Sequence, residues 1–580
     1  MAFQVSPGVQ IKEIDATNVI PAVSTSIGGF AGSFNWGPSD EICLVGSENE
    51  LLEKFGTPDG STAKYFLTAA SFLKYGNALK VVRVSSGHLN ASVSGGGQLV
   101  KNEDDYDNNY SSESGITGKG NWVARYPGVL GNSLKVSFVT AGITTSNYNA
   151  WGPSSNPGAF AAEFDEAPGT SDFAKDLGKT TAADELHIAV IDEDGAISGT
   201  PNTVLETYAF VSQGSDAKNS DGTSNYYKDV ITAKSEWIYW ANHDSTLTDA
   251  GETIASQTGA MTTNTAVIEH SLADGTDDNT PTVGEIQLGY DHFEDAETVD
   301  VNLLFAVPDV DDASTIANDI ISIATARKDC MAFVSPPLED TVGASNPSAE
   351  VLKFVSGVGD SHNGLTSSSY GFVDSGAVYV YDKYNDVFRY IGASGHMAGL
   401  CANADNVADA WFSPAGVNRG QLLGVTKLAY NPTKAQRDEL YKGRVNPIVS
   451  FPGQGTMLFG DKTLLSRPSA FDRINVRRLF IVLEKAIATA AKAQLFEFND
   501  EFTRAQFKNL VEPFLRDVKG RRGITDSLVI CDGTNNTGQV IDSNRFVADI
   551  FIKPARSINF ITLNFIATRT GVEFSEISGR

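Results

Sequence analysis

No stretch of this 580-residue chain approaches the roughly 18–20 consecutive apolar residues that span a bilayer, so no membrane-spanning helix is expected. Cysteine is scarce. Cys43, Cys330, Cys401 and Cys531 lie far apart and form no CxxC pair, which argues for reduced, buried thiols and against a disulfide framework or a zinc site. Seven histidines (His88, His187, His243, His270, His292, His362 and His396) are scattered without HExxH or other metal-ligand spacing. The first fifteen residues lack a basic segment followed by an apolar core, so no secretory signal is expected. Positive charge is also short: 44 Lys and Arg face 71 Asp and Glu, a net charge of −27. Such a surface favours solubility and disfavours direct contact with nucleic acid or anionic membrane.

The deficit is uneven. Residues 461–580 carry 18 Lys/Arg against 14 Asp/Glu, a net +4, which leaves −31 on the rest. An acidic body thus precedes a slightly basic C-terminal fifth. Glycine is plentiful at 54 residues, and with abundant Ser, Thr, Asn and Asp it favours turns and β-structure. Residues 1–24 read as an extended arm carrying the alternating strand Val5 to Ile14. Helices are expected over Glu48–Phe55 and Ala63–Tyr75, then a strand over Leu79–Val84. Residues 85–120, with the acidic cluster Glu103 to Asp107, read as a loop or weakly ordered insertion. Short strands follow up to residue 285. Val301–Val307, Ala313–Arg327 and Cys330–Val334 form a βαβ unit whose continuous apolar strands require cover on both faces.

The strongest helical signal is Asn475–Phe498, where Leu479, Val482, Leu483, Ala486, Ile487 and Ala490 make one apolar stripe. Arg478, Lys485 and Lys492 recur every seven residues and form a second, basic stripe. Strands near Ser527–Cys531 and Val547–Ile552 precede a terminal strand over 558–568. Its Ile558, Phe560, Thr562, Asn564 and Phe565 belong to a stretch apolar on both faces. A terminal strand of this kind must be buried, either in its own domain or in a neighbour's.

Candidate chemistry is sparse. Gly455 to Thr463 nearly spells a phosphate-binding loop, but Asp461 separates the second glycine from Lys462 and puts an anion where phosphate would sit. Ser61-Thr-Ala-Lys64 matches a short acylase pattern without its companion motifs. His396 and Cys401, five residues apart on a helix, point in different directions. Asp382 and Asp386 flank Lys383 and suit a turn between strands. The cluster at 103–107 lacks the residue order of a calcium loop. No catalytic, cofactor or metal residues are assigned, and no enzyme is expected.

The segments Ser6-Pro-Gly-Val-Gln-Ile-Lys-Glu13, Phe34-Asn-Trp-Gly-Pro38, Phe72-Leu-Lys-Tyr-Gly-Asn77 and Tyr126-Pro-Gly-Val-Leu-Gly131 resemble the tail sheath protein family of contractile-tailed, T-even-type bacteriophages. Further along come Tyr381-Asp-Lys-Tyr-Asn-Asp-Val387, Gly399-Leu-Cys-Ala402 and Ser413-Pro-Ala-Gly-Val-Asn-Arg-Gly420. The likeness is densest in Gly460-Asp-Lys-Thr463, Phe471-Asp-Arg-Ile-Asn-Val-Arg-Arg-Leu-Phe480 and Pro554-Ala-Arg-Ser-Ile-Asn-Phe-Ile-Thr-Leu-Asn-Phe565. Residues 85–120 are short where the T-even sheath carries an extra outer domain, so that domain is expected to be reduced or absent.

The resemblance implies a structural subunit, assembled in the host bacterial cytoplasm and located in the virion tail. Its partners would be further copies of itself in hexameric rings stacked helically, the tail tube protein, and the baseplate and tail terminator proteins. A sheath of a non-viral contractile injection system is the alternative, and a hydrolase on the βαβ portion a distant one. In the family, the N-terminal arm and C-terminal strand complete sheets of neighbouring subunits, which here points to Val9, Ile11, Ile558, Phe560, Thr562, Asn564 and Phe565. The C-terminal core lies next to the tube, which makes Arg478, Lys485 and Lys492 a candidate tube-facing stripe. The expected class is a multidomain α+β / α/β fold. Its parts are an arm (1–24), an outer β-rich domain (25–290) with a short variable insertion near 85–120, an α/β domain (291–459) and a C-terminal α/β core with the linking strand (460–580).

Overall fold

The computed structural model describes residues 24–85, 87–308, 312–358, 363–559 and 562. Among these, residues 24–408 and 414–472 form one compact unit, and residues 409–413 with those from 473 onward form another.

The first unit is built on a six-stranded sheet. Its strands are β1 (Gly28–Gly32), β2 (Ile42–Val45) and β3 (Leu79–Arg83) from the N-terminal segment, and three more from beyond residue 300. These are β10 (Leu303–Phe305), β11 (Met331–Val334) and β12 (Gly371–Val373), and the spatial order is β12-β11-β10-β1-β3-β2. All neighbours run parallel except β2, which is antiparallel to β3. Parallel strands need helices on both faces, and the chain supplies them. Phe30, Phe72 and Phe305 stack at 5.1 and 5.4 Å, bringing the helix Ala63–Leu73 onto one face, where it packs against the helix Ser394–Val407. The helices Val283–Asp291, Ala313–Arg327 and Pro347–Ser356 share a core through Tyr290, Ile316, Ile320, Val351 and Phe354. The helix Ala313–Arg327 starts where Asp312 accepts a hydrogen bond from the Thr315 amide at 3.1 Å, and it stops at left-handed Lys328. Central β1 is glycine-rich for want of space: a Cβ on Gly29 would lie 2.6 Å from Val301 Cγ2.

This sheet corrects the expected boundary at 290. Strands 28–83 pair with strands 303–373, so residues 25–84 and 291–459 are one folding unit interrupted by an insertion. The insertion holds the antiparallel sheet β7-β6-β5-β9, with β5 (Leu134–Thr140), β6 (Glu185–Asp192), β7 (Thr203–Ser212) and β9 (Ile268–Ser271). A smaller pair joins β4 (Trp122–Ala124) to β8 (Ile238–Trp240). Residues 85–120 are also better ordered than expected. Asn102 caps a helix over Glu103–Asn109, and Val100, Tyr106 and Ile116 join Tyr239 in a small core. One buried aromatic per turn is enough here, because Tyr106 stacks on Tyr239 at 4.2 Å.

Arg83 fastens the insertion to the sheet. Fully buried, its guanidinium donates to the carbonyls of Phe34 (2.9 Å), Gly37 (2.7 Å) and Pro127 (2.7 Å). Burial pulls its pKa down to about 9, against the favourable field of Asp277.

Beyond β12 come a three-stranded sheet, β14-β13-β15, and a hairpin. The sheet strands are β13 (Val378–Asp382), β14 (Val387–Ile391) and β15 (Val425–Leu428); the hairpin strands are β16 (Ile448–Phe451) and β17 (Gly455–Leu458). Residues 460–472 stay with this unit and not with the C-terminal core as expected. The Leu464 amide donates to Gly371 at 2.9 Å, and the Thr463 amide to Asp472 at 3.1 Å.

Candidate assembly surface

The second unit stands on two helices, Ile474–Ala491 and Glu501–Gly520. Leu479 and Leu483 from the first meet Phe507, Val511, Leu515 and Val518 from the second, with Trp411 beside them. Against this pair lies an antiparallel ribbon of β18 (Ile524–Ile530) and β19 (Asp549–Pro554), in register from Ile524 opposite Pro554 to Ile530 opposite Asp549. Val529, Ile550 and Ile552 turn inward. The paired Leu528 and Phe551 turn outward, 55% and 57% exposed. Among the described residues the sheet ends at two strands, so each strand has an outer edge of backbone donors and acceptors with no partner strand.

Ile558 is 83% exposed and Thr562 is exposed. Val9, Ile11, Phe560, Asn564 and Phe565 lie outside the described residues. The basic stripe needs correction at one end. Residues Ile474 to Leu479 are buried on every side of the helix, so Arg478 is a buried residue and offers no surface. Lys485 is half-buried and Lys492 exposed. Seven-residue spacing fixed their shared side of the helix, but not what covers it. The helix also ends earlier than expected, at Ala491. The connector that follows exposes Leu495, Phe496 and Phe498 at 62%, 105% and 82%, and the first turn of the next helix exposes Phe502 at 69%. Phe496 has φ = +70°, a conformation uncommon for a large side chain. The expected helix Asn475–Phe498 spans these connector residues, and the ribbon pair Leu528 and Phe551 gives no signal beyond strand propensity.

The candidate chemical residues have structural occupations. Gly455 begins strand β17, and buried Asp461 accepts from Tyr441 Oη at 3.2 Å while Lys462 Nζ donates to the Tyr441 carbonyl at 2.7 Å. Asp382 accepts from Arg389 Nε at 2.9 Å, and Asp386 from Tyr381 Oη at 2.6 Å, fixing the turn between β13 and β14. Glu103 pairs with Arg125 at 2.8 Å. Among the described residues no three His, Cys, Asp or Glu side chains converge as a metal site, and no helix is long and apolar enough to cross a membrane.

Two buried groups of the first unit, His396 and Asp374, are shifted in opposite directions. His396 is pushed down to about 3, by burial first and Lys74 second, with Nδ1 3.1 Å from Tyr75 Oη. Asp374 is pushed up to about 7 by burial, against hydrogen bonds from Ser335 Oγ and the Gly376 amide. Their signs oppose. His396 loses stability as pH falls below 6.5, because only the unfolded chain takes up the proton; Asp374 loses stability as pH rises from 3.8 towards 7. Asp374→Asn should therefore uncover the histidine. Relative to wild type, its urea stability should fall by about 1.4 kcal/mol per pH unit on going from pH 6.5 to 4.5, the contribution that Asp374 makes in wild type. Parallel curves for the two proteins would refute this coupling.

Sequence comparison identifies the relatives of this chain. A family model of the phage tail sheath protein central domain matches residues 281–464, and one of the phage tail sheath C-terminal domain matches residues 466–568. The tail sheath protein Gp18 domain III N-terminal region matches residues 25–84. The tail sheath protein of Enterobacteria phage T4 is 33% identical over 99% of both chains.

The chain belongs to the phage tail sheath family.

The tail sheath protein of Vibrio phage KVP40 is likewise 33% identical over 99% of both chains. The sheath complex of an extracellular contractile injection system, PVC, in its contracted state shares the fold: TM-score 0.51 at 14% identity, covering 98% of this chain and 99% of that one. The two sheath-family segments 25–84 and 281–464 coincide with the two halves of the six-stranded sheet. The unmatched stretch between them is the insertion.

Proposed function

We propose that this chain is the sheath subunit of a contractile phage tail, a structural and non-enzymatic part. Copies assemble into hexameric rings stacked around a tail tube, between baseplate and tail terminator, and contraction drives the tube through the host envelope. The observation that carries the reading is the two-stranded ribbon β18–β19 with its open edges. A two-stranded sheet is marginal alone, and open edges recruit further strands. The N-terminal arm around Val9 and Ile11 and the terminal strand around Ile558 to Phe565 are the strands the sequence offers for this purpose. Strand addition joins copies by backbone hydrogen bonds while the connecting segments bend as rigid bodies rotate. Exposed Leu528, Phe551 and the connector phenylalanines supply apolar area for neighbouring chains to cover.

Lys485 and Lys492 remain candidates for the tube contact, where exposed charge pairs of about 1 kcal/mol or less release easily during a stroke. Likeness in sequence is to phage tail sheaths and favours a virion over a non-viral injection particle.

Electron microscopy tests both parts. The purified protein should form hollow cylinders of stacked six-fold rings, and with tail tubes present it should coat them. A monodisperse monomer under both conditions would overturn the reading. Lys485→Glu with Lys492→Glu should still give cylinders yet lose tube coating; unchanged coating would remove the lysines from the tube contact.

A further inference from the structure

The β14–β13–β15 sheet has a face that assembly through the termini leaves unused. Register pairs Tyr379 with Tyr390, Tyr381 with Phe388 and Tyr379 with Lys427, which places all five side chains on one side. The rings form a ladder: Tyr379–Tyr390 at 4.5 Å, Tyr379–Phe388 at 5.3 Å and Tyr381–Phe388 at 5.1 Å between centroids. Lys427 Nζ lies 4.4 Å from the centre of Tyr379 and 5.6 Å from that of Tyr390. The opposite face, Val378, Val380 and Asp382, is buried, whereas Tyr381 and Phe388 are each 48% exposed. Next to β15 the motif repeats. Phe451 and Phe459 meet edge to face at 5.3 Å, under the Arg437 guanidinium at 5.6 and 6.0 Å.

Aromatic residues are enriched where proteins bind proteins, and a cation over a ring adds an attraction of its own. Charge indicates the partner. Residues 414–472, which supply Lys427 and Arg437, carry eight Lys/Arg against four Asp/Glu. Residues 85–280 carry nine against 27, a net −18. A second copy therefore presents the complement of this face.

We propose that the Tyr379–Tyr381–Phe388–Tyr390 face, with Lys427, docks on the acidic insertion (85–280) of a second copy. The contact rests on the reading of the chain as a sheath subunit and adds to it a lateral bond independent of strand addition. Its aromatic rings supply contact area, and the lysine and the acidic surface set orientation and reject like-charged approaches.

Photo-crosslinking decides it. With Phe388→p-benzoylphenylalanine, cylinders of the full chain should yield cross-links between copies that map to residues 85–280. Lys427→Glu should leave the circular dichroism of the unassembled chain unchanged and raise the critical concentration for polymerisation by about tenfold or more. If cylinders form but the links fall on residues 473–559, or no inter-copy link forms, this inference fails and the sheath reading stands. If wild type forms no cylinders, both fail. An unchanged critical concentration for Lys427→Glu would remove the lysine from the contact.

Discussion

Deletion of Ile558–Arg580 is expected to leave a soluble chain that folds as wild type does and no longer polymerises. The prediction follows from where the second unit completes its core. Among the described residues that core runs from Trp411 to Ile552, and Ile558 stands 83% exposed beyond it. On the proposed reading the deleted strand serves assembly and not the folding of its own unit. A strand of about ten residues forms several backbone hydrogen bonds at about 1 kcal/mol each and buries alternate apolar side chains. Losing more than about 5 kcal/mol per contact weakens association by more than a thousandfold. Sedimentation should show monomer at concentrations where the full chain gives cylinders, with an unchanged urea transition. Cylinders from the truncated chain would mean that the strand completes its own subunit.

Arg83→Met is expected to cost about 3–5 kcal/mol of folding stability. Methionine keeps the apolar stem but abandons the carbonyls of Phe34, Gly37 and Pro127 in a site closed to water. Arg83→Lys should recover less than half of the loss, because an ammonium is a point donor and cannot reproduce a planar fork. Urea titration reads the difference. A loss below about 1 kcal/mol would show that the three carbonyls find other donors.

Local structure was legible in the sequence to the residue in places. The helices Glu48–Phe55 and Ala313–Arg327 end where the sequence places them, because caps and apolar spacing agree there. Partnership between distant strands was not legible. Period and composition mark Val301–Val307 as a strand but say nothing of Gly28 beside Leu303, since pairing is decided by what the whole sheet buries. Arg83 escaped notice because a charged residue closing an apolar strand looks like its solvent end. Arg478 misled for the opposite reason: its spacing matched an exposed stripe, yet the first turns of that helix are enclosed. Polarity hid the helix Glu103–Asn109, which buries Tyr106 alone.

The interrupted sheet also sets a timetable for synthesis. Strands β1, β2 and β3 can pair as soon as Arg83 leaves the ribosome, but β10, the other neighbour of β1, begins at Leu303, about 220 residues later. At 5–20 residues per second the growing chain carries a half-sheet with one bare edge for ~10–45 s. That edge reads Gly-Gly-Phe-Ala-Gly, a sequence with little side chain to hold a foreign strand in register. The glycines that let the finished core close thus also keep the waiting edge from sticking to a sister chain on the same messenger.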